Sequence, residues 1–151
     1  MARKSRVVAA SLTISAATLV GLAINEGYVG TAYRDIGGVP TIGFGETQGV
    51  QMGQSTTPVR ALIKLNESAS AIAKQAMSCV TVPLSQNEYD AYVSFSYNLG
   101  AGSFCQYIAP VINTLDYDAA CKKILLFDHV GTKKVPGLTR RREEEFAKCM
   151  E

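Results

Sequence analysis

The hydrophobic and polar positions divide the chain into one long uncharged stretch followed by shorter periodic segments. Eighteen residues from Val7 to Ile24 carry no charge. A helix of that length spans about 27 Å, close to the roughly 30 Å hydrocarbon core of a bilayer. Ser11, Thr13, Ser15, Thr18 and Gly21 interrupt the run, and alanine supplies much of the remainder. Its strong apolar residues (Val7, Val8, Leu12, Ile14, Leu19, Val20, Leu22 and Ile24) contribute roughly −2.4 to −4.8 kcal/mol of insertion free energy, at about −0.3 to −0.6 each. The segment is expected to enter a membrane with little margin.

Beyond it, Tyr33 to Phe44 mixes β-formers with turn residues. The pair Gly37-Gly38 predicts a tight hairpin turn, and Pro40 confines its strand to an edge. Helical spacing of Leu62, Leu65, Ala69, Ile72, Ala73 and Ala76 predicts a core-facing helix over 56–78, with Pro58 in its first turn. A second helix over 85–99 opens on Ser85-Gln86-Asn87-Glu88, a capping box, and Tyr89, Tyr92, Val93, Phe95 and Ser96 mark its packed face. Shorter helices are expected over 103–113 and 116–127, the latter capped by Asp116. A final helix is expected from about Thr139, where Arg140, Arg141 and Arg142 precede Glu143, Glu144 and Glu145. As a solvated face, that charge run would form i,i+3 and i,i+4 pairs.

Composition changes this picture in four places. Arg3, Lys4 and Arg6 precede the apolar run and no acidic residue occurs before Glu26. The positive-inside rule therefore leaves the N-terminus in the cytoplasm and sends everything from Asn25 outward. Four cysteines (Cys79, Cys105, Cys121 and Cys149) in an exported chain point to two disulfides, with three connectivities open. With one histidine, His129, and no C-x-x-C, a metal site and a histidine-dependent nucleophile are disfavoured, and no cofactor is expected. His129 beside a Gly-Thr-Lys-Lys turn reads as a surface or structural residue. A net charge of +2 without a basic stripe argues against nucleic acid.

The candidate chemistry lies in Glu26 to Thr47. Asn25-Glu26-Gly27 reads as a helix end with a left-handed glycine cap. Asp35 follows nine residues after Glu26, and Thr41 six after that. Glu26 would sit at a helix terminus and Asp35 and Thr41 on facing strands, with a cleft between the hairpin and the helical part. Two carboxyls in different surroundings are what glycoside hydrolysis requires. The acid needs apolar surroundings that keep it protonated, which Leu22-Ala23-Ile24 would provide for Glu26. Asp35, beside Arg34 and open glycines, reads as the anion, and the Thr41 hydroxyl as a holder of water. The spacing alone is weak, since two acids nine apart are also common as solvated surface groups.

The larger pattern is more specific. Glu26, then Asp35, then Thr41 within T-I-G-F-G-x-T closely resembles the active-site signature of the phage-type lysozymes, glycoside hydrolase family 24. Val82-Pro83-Leu84-Ser85 through Phe95, Asn98 and Gly100 resembles the central helix of that family. Gly137-Leu138, Arg141-Arg142 and Glu145 resemble its G-L-x-x-R-R-x-x-E motif. The resemblance runs from about Asn25 to Cys149. The first 24 residues are similar to those of its signal-anchor-release endolysins. Many relatives carry a tryptophan before the last motif; this chain has none and has Phe127 nearby.

The resemblance implies an α+β, lysozyme-like fold, mostly helical with one small β-hairpin sheet, preceded by a signal-anchor helix. Residues 1–24 would form the anchor and 25–151 the catalytic domain. It implies catalysis by Glu26, Asp35 and Thr41, and substrate contacts from Asn98, Arg141 and Arg142. The charge run itself has a second reading beside the solvated face, in which Arg141 or Arg142 turns inward to pair with Glu26 and tune it. It also implies pairing of Cys79 with Cys105 and of Cys121 with Cys149. The expected activity is hydrolysis of the β-1,4 bond between N-acetylmuramic acid and N-acetylglucosamine in peptidoglycan. The chain would be a monomer exported by the host, held in the inner membrane through residues 7–24 and then released into the periplasm. Other readings stand beside these. Gly21-Leu22-Ala23 would suit signal-peptide cleavage, and the run also fits a permanent anchor or a buried helix. A lytic transglycosylase would use one acid alone, and a non-enzymatic membrane-disrupting protein would need only the apolar segment.

Overall fold

The computed structural model describes residues 4–151, so Arg3 of the basic cluster lies outside the described residues. The chain divides into two compact units, one formed by Ala16–Ser70 and the other by the flanking chain on both sides.

In the Ala16–Ser70 unit, helix α1 (Ala16–Glu26) ends where the Gly27 N–H reaches the Ala23 carbonyl at 3.0 Å, with Gly27 left-handed as expected. Strands β1 (Val29–Arg34) and β2 (Pro40–Gly43) pair antiparallel, Tyr33 opposite Thr41 and Arg34 opposite Pro40. Between Val29 and Tyr33 the ladder is irregular. There β1 turns to another partner, its Gly30 carbonyl accepting from Thr56 N and its Ala32 N–H donating to the Gln54 carbonyl. Helix α2 (Pro58–Met77) begins in this unit, with Pro58 in its first turn as read from the sequence, and continues into the flanking unit. Leu22, Ile42, Ala61, Leu65 and Ala69 are buried.

The flanking unit is built on α3 (Gln86–Leu99), which has buried residues on nearly every side. The expected capping box is present: Ser85 Oγ accepts from Glu88 N and the Glu88 carboxylate accepts from Ser85 N. After α3 come α4 (Ala101–Tyr107) and α5 (Ala109–Ile112). The single helix expected over 103–113 is thus two, because Pro110 has no N–H to continue the ladder. Helix α6 (Tyr117–Ile124) is capped by Asp116, whose carboxylate accepts from Ala119 N. A short ribbon, β3 (His129–Val130) with β4 (Lys133–Lys134), was not expected and gives the described residues a second two-stranded sheet. It places His129 in a strand. Helix α7 (Pro136–Met150) begins earlier than Thr139, since proline suits the first helical position.

Tyr92, Phe95, Phe104, Ile108, Ile112 and Ile124 are fully enclosed at the centre of this unit. Phe127 fills part of the edge, its ring 5.0 Å from Phe95 in an edge-on contact and 5.6 Å from Tyr107. Disulfides join Cys79 to Cys105 and Cys121 to Cys149, the second tying α6 to α7.

The uninterrupted helix expected over Val7–Ile24 is not formed. Val7 bridges Leu84 through two backbone hydrogen bonds of 2.9 and 2.8 Å, Ala9–Ser11 is one 3₁₀ turn, and helix begins only at Ala16. At 1.5 Å per residue α1 is about 16 Å long. Among the described residues no helix is long and apolar enough to cross a membrane. The physical reason is packing: Ala9 is buried in the flanking unit's core, and Leu12 and Ile14 lie against it. In water that burial opposes exposure of the same side chains on a continuous helix.

Two predictions follow from local features. Leu115 is left-handed at φ 69° while its side chain is 63% exposed. A left-handed conformation costs a side-chain-bearing residue about 1–2 kcal/mol, so Leu115→Gly is expected to raise the urea unfolding free energy by about 1 kcal/mol. Asp128 accepts from the Thr139 hydroxyl at 3.0 Å and lies 3.2 Å from Lys134 Nζ. Enclosure works to raise its carboxyl, but these donors, with Lys134 and His129 nearby, hold it below its ordinary 3.8. A depressed carboxyl contributes stability that is present above the unfolded value and is lost as pH falls through the folded one. The difference in urea midpoint between wild type and Asp128→Asn should therefore shrink progressively below about pH 4.

Candidate functional site

Glu26 is the last residue of α1 and is exposed. The apolar surroundings expected from Leu22-Ala23-Ile24 are not all there: Leu22 is buried, but Ile24 is 76% exposed. Helical rotation explains this, since residues two apart point to different sides. A Cβ placed on Gly45 would lie 3.4 Å from Glu26 Oε2.

Asp35 and Thr41 belong to one hairpin. Asp35 directly follows β1 and sits in the turn rather than on a strand, while Thr41 is on β2 and buried. The peptide groups of Val39 join them. Val39 N donates to Asp35 Oδ1 at 2.8 Å, and the Val39 carbonyl accepts from both Asp35 N at 3.0 Å and Thr41 Oγ1 at 2.9 Å. Because the Thr41 hydroxyl gives its proton to that carbonyl, its oxygen presents lone pairs to any further donor. Arg34, read as a neighbour of the anion, instead donates to the Gly38 carbonyl at 2.8 Å and braces the turn.

The two glycines of T-I-G-F-G-x-T have separate reasons. Gly43 is left-handed at φ 66°, and a Cβ there would meet the Ala61 Cβ at 2.9 Å, so β2 packs on α2 only without a side chain. Gly45 is left-handed at φ 83°, a conformation that disfavours any side chain, while a Cβ there would make only an ordinary contact with the Glu26 carboxylate. The loop after them is tied to α2 by Ser68 Oγ donating to Glu46 Oε2 at 3.1 Å.

The other residues named from the sequence lie in the flanking unit. Asn98 is exposed on the last turn of α3. Arg142 is fully enclosed on α7. Its Nε lies 2.8 Å from Glu145 Oε2, its Nη2 donates to Glu145 Oε1 at 3.0 Å, and its guanidinium sits 5.4 Å from the centre of the Phe95 ring. Arg141, with 11% of its side chain exposed, donates to Glu145 Oε1 at 3.3 Å and to the Ser94 carbonyl at 3.4 Å. Ser94 Oγ completes the set at 2.7 Å from Glu145 Oε1. Burial lowers the Arg142 guanidinium and raises the Glu145 carboxyl despite the donors around it. Ser94 was not singled out in the sequence, where a serine on a packed helix face carries no signal of a polar partner.

A mostly helical chain with one small hairpin bearing an acid and a threonine, and a second acid at the preceding helix end, defines a lysozyme-like protein. Comparison with known proteins agrees. The Phage lysozyme family model matches residues 23–145. The chain is 35% identical over 140 residues to the SAR-endolysin of Pseudomonas phage phiKMV, covering 90% of this chain and 88% of that one. It is 33% identical over 139 residues to the endolysin of Salmonella phage P22, covering 88% and 95%. A crystal structure of a P22 lysozyme mutant superposes with a TM-score of 0.84 at 32% identity, covering 93% of this chain and 99% of that one. The chain belongs to the phage lysozyme family.

The glycine geometry yields a prediction. Gly43→Ala must adopt a left-handed conformation and overlap Ala61, so it is expected to lose about 2–4 kcal/mol in denaturant unfolding. Gly45→Ala meets only an ordinary contact and is expected to lose about 1–2 kcal/mol.

Proposed function

We propose that the protein is a phage endolysin that hydrolyses the β-1,4 bond between N-acetylmuramic acid and N-acetylglucosamine in peptidoglycan. Membership of the phage lysozyme family implies peptidoglycan as the substrate. The observation that carries the finer reading is the Asp35–Val39–Thr41 turn. Thr41, its proton committed to Val39, accepts a hydrogen bond from the attacking water. Asp35, with Oδ1 committed to the Val39 N–H, leaves Oδ2 to take the water's proton. Glu26 donates a proton to the leaving oxygen, as one of the two carboxyls that glycoside hydrolysis requires. Asn98 and Arg141 would serve the substrate. Arg142, enclosed with Glu145, would act by holding α7 in place.

We further propose that the chain is first held in the inner membrane through residues 7–24, with its catalytic part in the periplasm but inactive, and acts once the segment is released. A 35%-identical relative bearing the name SAR-endolysin supports this. So does the folded form of the segment: Val20 is 53% and Ile24 76% exposed, and both line an apolar groove of about 520 Å³ with Tyr28, Phe44 and Val59. Such a face suits a sequence that must also be stable in lipid. In the anchored state Glu26 would be pinned at the bilayer surface, two residues past the end of the run.

Glu26→Gln should leave export and folding intact and lower peptidoglycan cleavage by at least about 10²–10⁴-fold. Full lysis by that variant would end the catalytic reading. Replacing Ser11, Thr13, Ser15, Thr18 and Gly21 with leucine should trap the chain in the membrane fraction without wall digestion. Efficient cutting by the trapped form would overturn the regulatory reading.

A further inference from the structure

The first described residues make a set of contacts that the proposed chemistry does not use. Glu88, on α3, is completely enclosed. One carboxylate oxygen accepts from Ser85 N as part of the capping box at 2.9 Å. Its opposing charge comes from the other end of the unit's sequence. Arg6 Nη2 donates to Glu88 Oε1 at 2.7 Å and Arg6 Nε to Oε2 at 3.0 Å, while Lys4 Nζ lies 3.8 Å from Oε1. The Arg6 guanidinium also lies 3.6 Å above the centre of the Tyr117 ring, and Tyr117 is held by its hydroxyl bond to the Pro83 carbonyl at 2.9 Å. Lys4 Nζ donates to the Cys149 carbonyl at 2.6 Å, at the negative end of α7.

From there to Ser15 the chain is fastened at intervals. Val7 bridges Leu84, Gln86 Nε2 donates to the Thr13 carbonyl at 2.8 Å, and Ser15 N donates to the buried Asp90 at 3.1 Å. Glu88 and Asp90 are both buried carboxylates on α3 with donors supplied by residues 4–15. A buried carboxylate stripped of its cation is strongly destabilising, so this unit is complete only when those residues lie on it.

We propose that Glu88 is the receptor for the basic N-terminal flank, and that the Lys4/Arg6–Glu88 contact is a latch closing residues 4–15 onto the flanking unit. The regulatory part of this inference rests on the anchoring reading above. Lys4 and Arg6 are the charges that would hold the N-terminus on the cytoplasmic face. The same charges cannot reach Glu88 while a bilayer separates them from it. Anchoring and latching therefore exclude one another, and closure of the latch opposes return of the segment to lipid.

The test uses the full chain with Glu88→Gln, Arg6→Gln and the double variant. Hydrogen exchange of residues 4–15 and of the α3 N-terminus should show roughly a tenfold to hundredfold rise in opening for each single variant, and little further rise for the double. Additive effects, or unchanged exchange in Glu88→Gln, would overturn the latch. If Glu88→Gln does not fold, exchange in Arg6→Gln decides, since Arg6 lies outside the core and the same criterion of opening at residues 4–15 applies. In expressing cells Glu88→Gln leaves the N-terminal sequence untouched, so its membrane-bound share should rise several-fold over wild type. An unchanged share, with wild type itself found in the membrane, would overturn the regulatory part. If neither form is ever found in the membrane, the anchoring reading fails with it, while the exchange result still decides the latch.

Discussion

A carboxylate withdrawn from water needs a counter-charge and donors, and α3 carries two such groups, Glu88 and Asp90, within its first turns. Much of the flanking unit is arranged to meet that need. The N-terminal residues provide Arg6, Lys4 and the Ser15 N–H, and the next turns of α3 present Ser94 to Glu145 on α7. The apolar residues between these contacts, Ala9, Leu12 and Ile14, then reach the aromatic core. Charge satisfaction and hydrophobic burial thus bring the same piece of chain to the same place.

The candidate site is held by a different kind of constraint, located in the backbone. Asp35 and Thr41 are oriented by the peptide groups of Val39, and a Cβ on Gly45 would stand in contact with the Glu26 carboxylate. Peptide groups in a tight hairpin turn move less than long side chains, so small polar groups can be held with little loss of order on substrate binding. The demand is visible as glycines. Gly43 permits β2 to lie against Ala61, and without that contact the strand bearing Thr41 would shift.

The N-terminal run has a sequence compatible with two solvents. Its hydroxyls, glycine and alanines weaken it as a bilayer span, and the same small residues let it follow a bent path over a protein core. Its basic flank has a counterpart in Glu88. This is the feature in which residue order, packing and the proposed regulation are most closely joined.

Much was determined by local sequence alone. Helix periodicity, the Ser85–Glu88 capping box, the Asp116 cap and the glycine turn of the hairpin all depend on interactions between near neighbours, which the residue order states directly. The T-I-G-F-G-x-T motif, together with Glu26 and Asp35, marks the family in the residue order itself. Three things were decided only by tertiary structure. The Val7–Ile24 run reads as one helix by hydropathy, yet its path depends on Leu84, Glu88 and Asp90, more than sixty residues away. Of two adjacent arginines that both reach Glu145, Arg142 is the fully enclosed one, because one helical step of about 100° separates their directions and the Phe95 ring lies on its side. Val39, an apolar residue in a polar turn, has its effect through backbone groups that every residue but proline shares, so its side chain carries no mark of it.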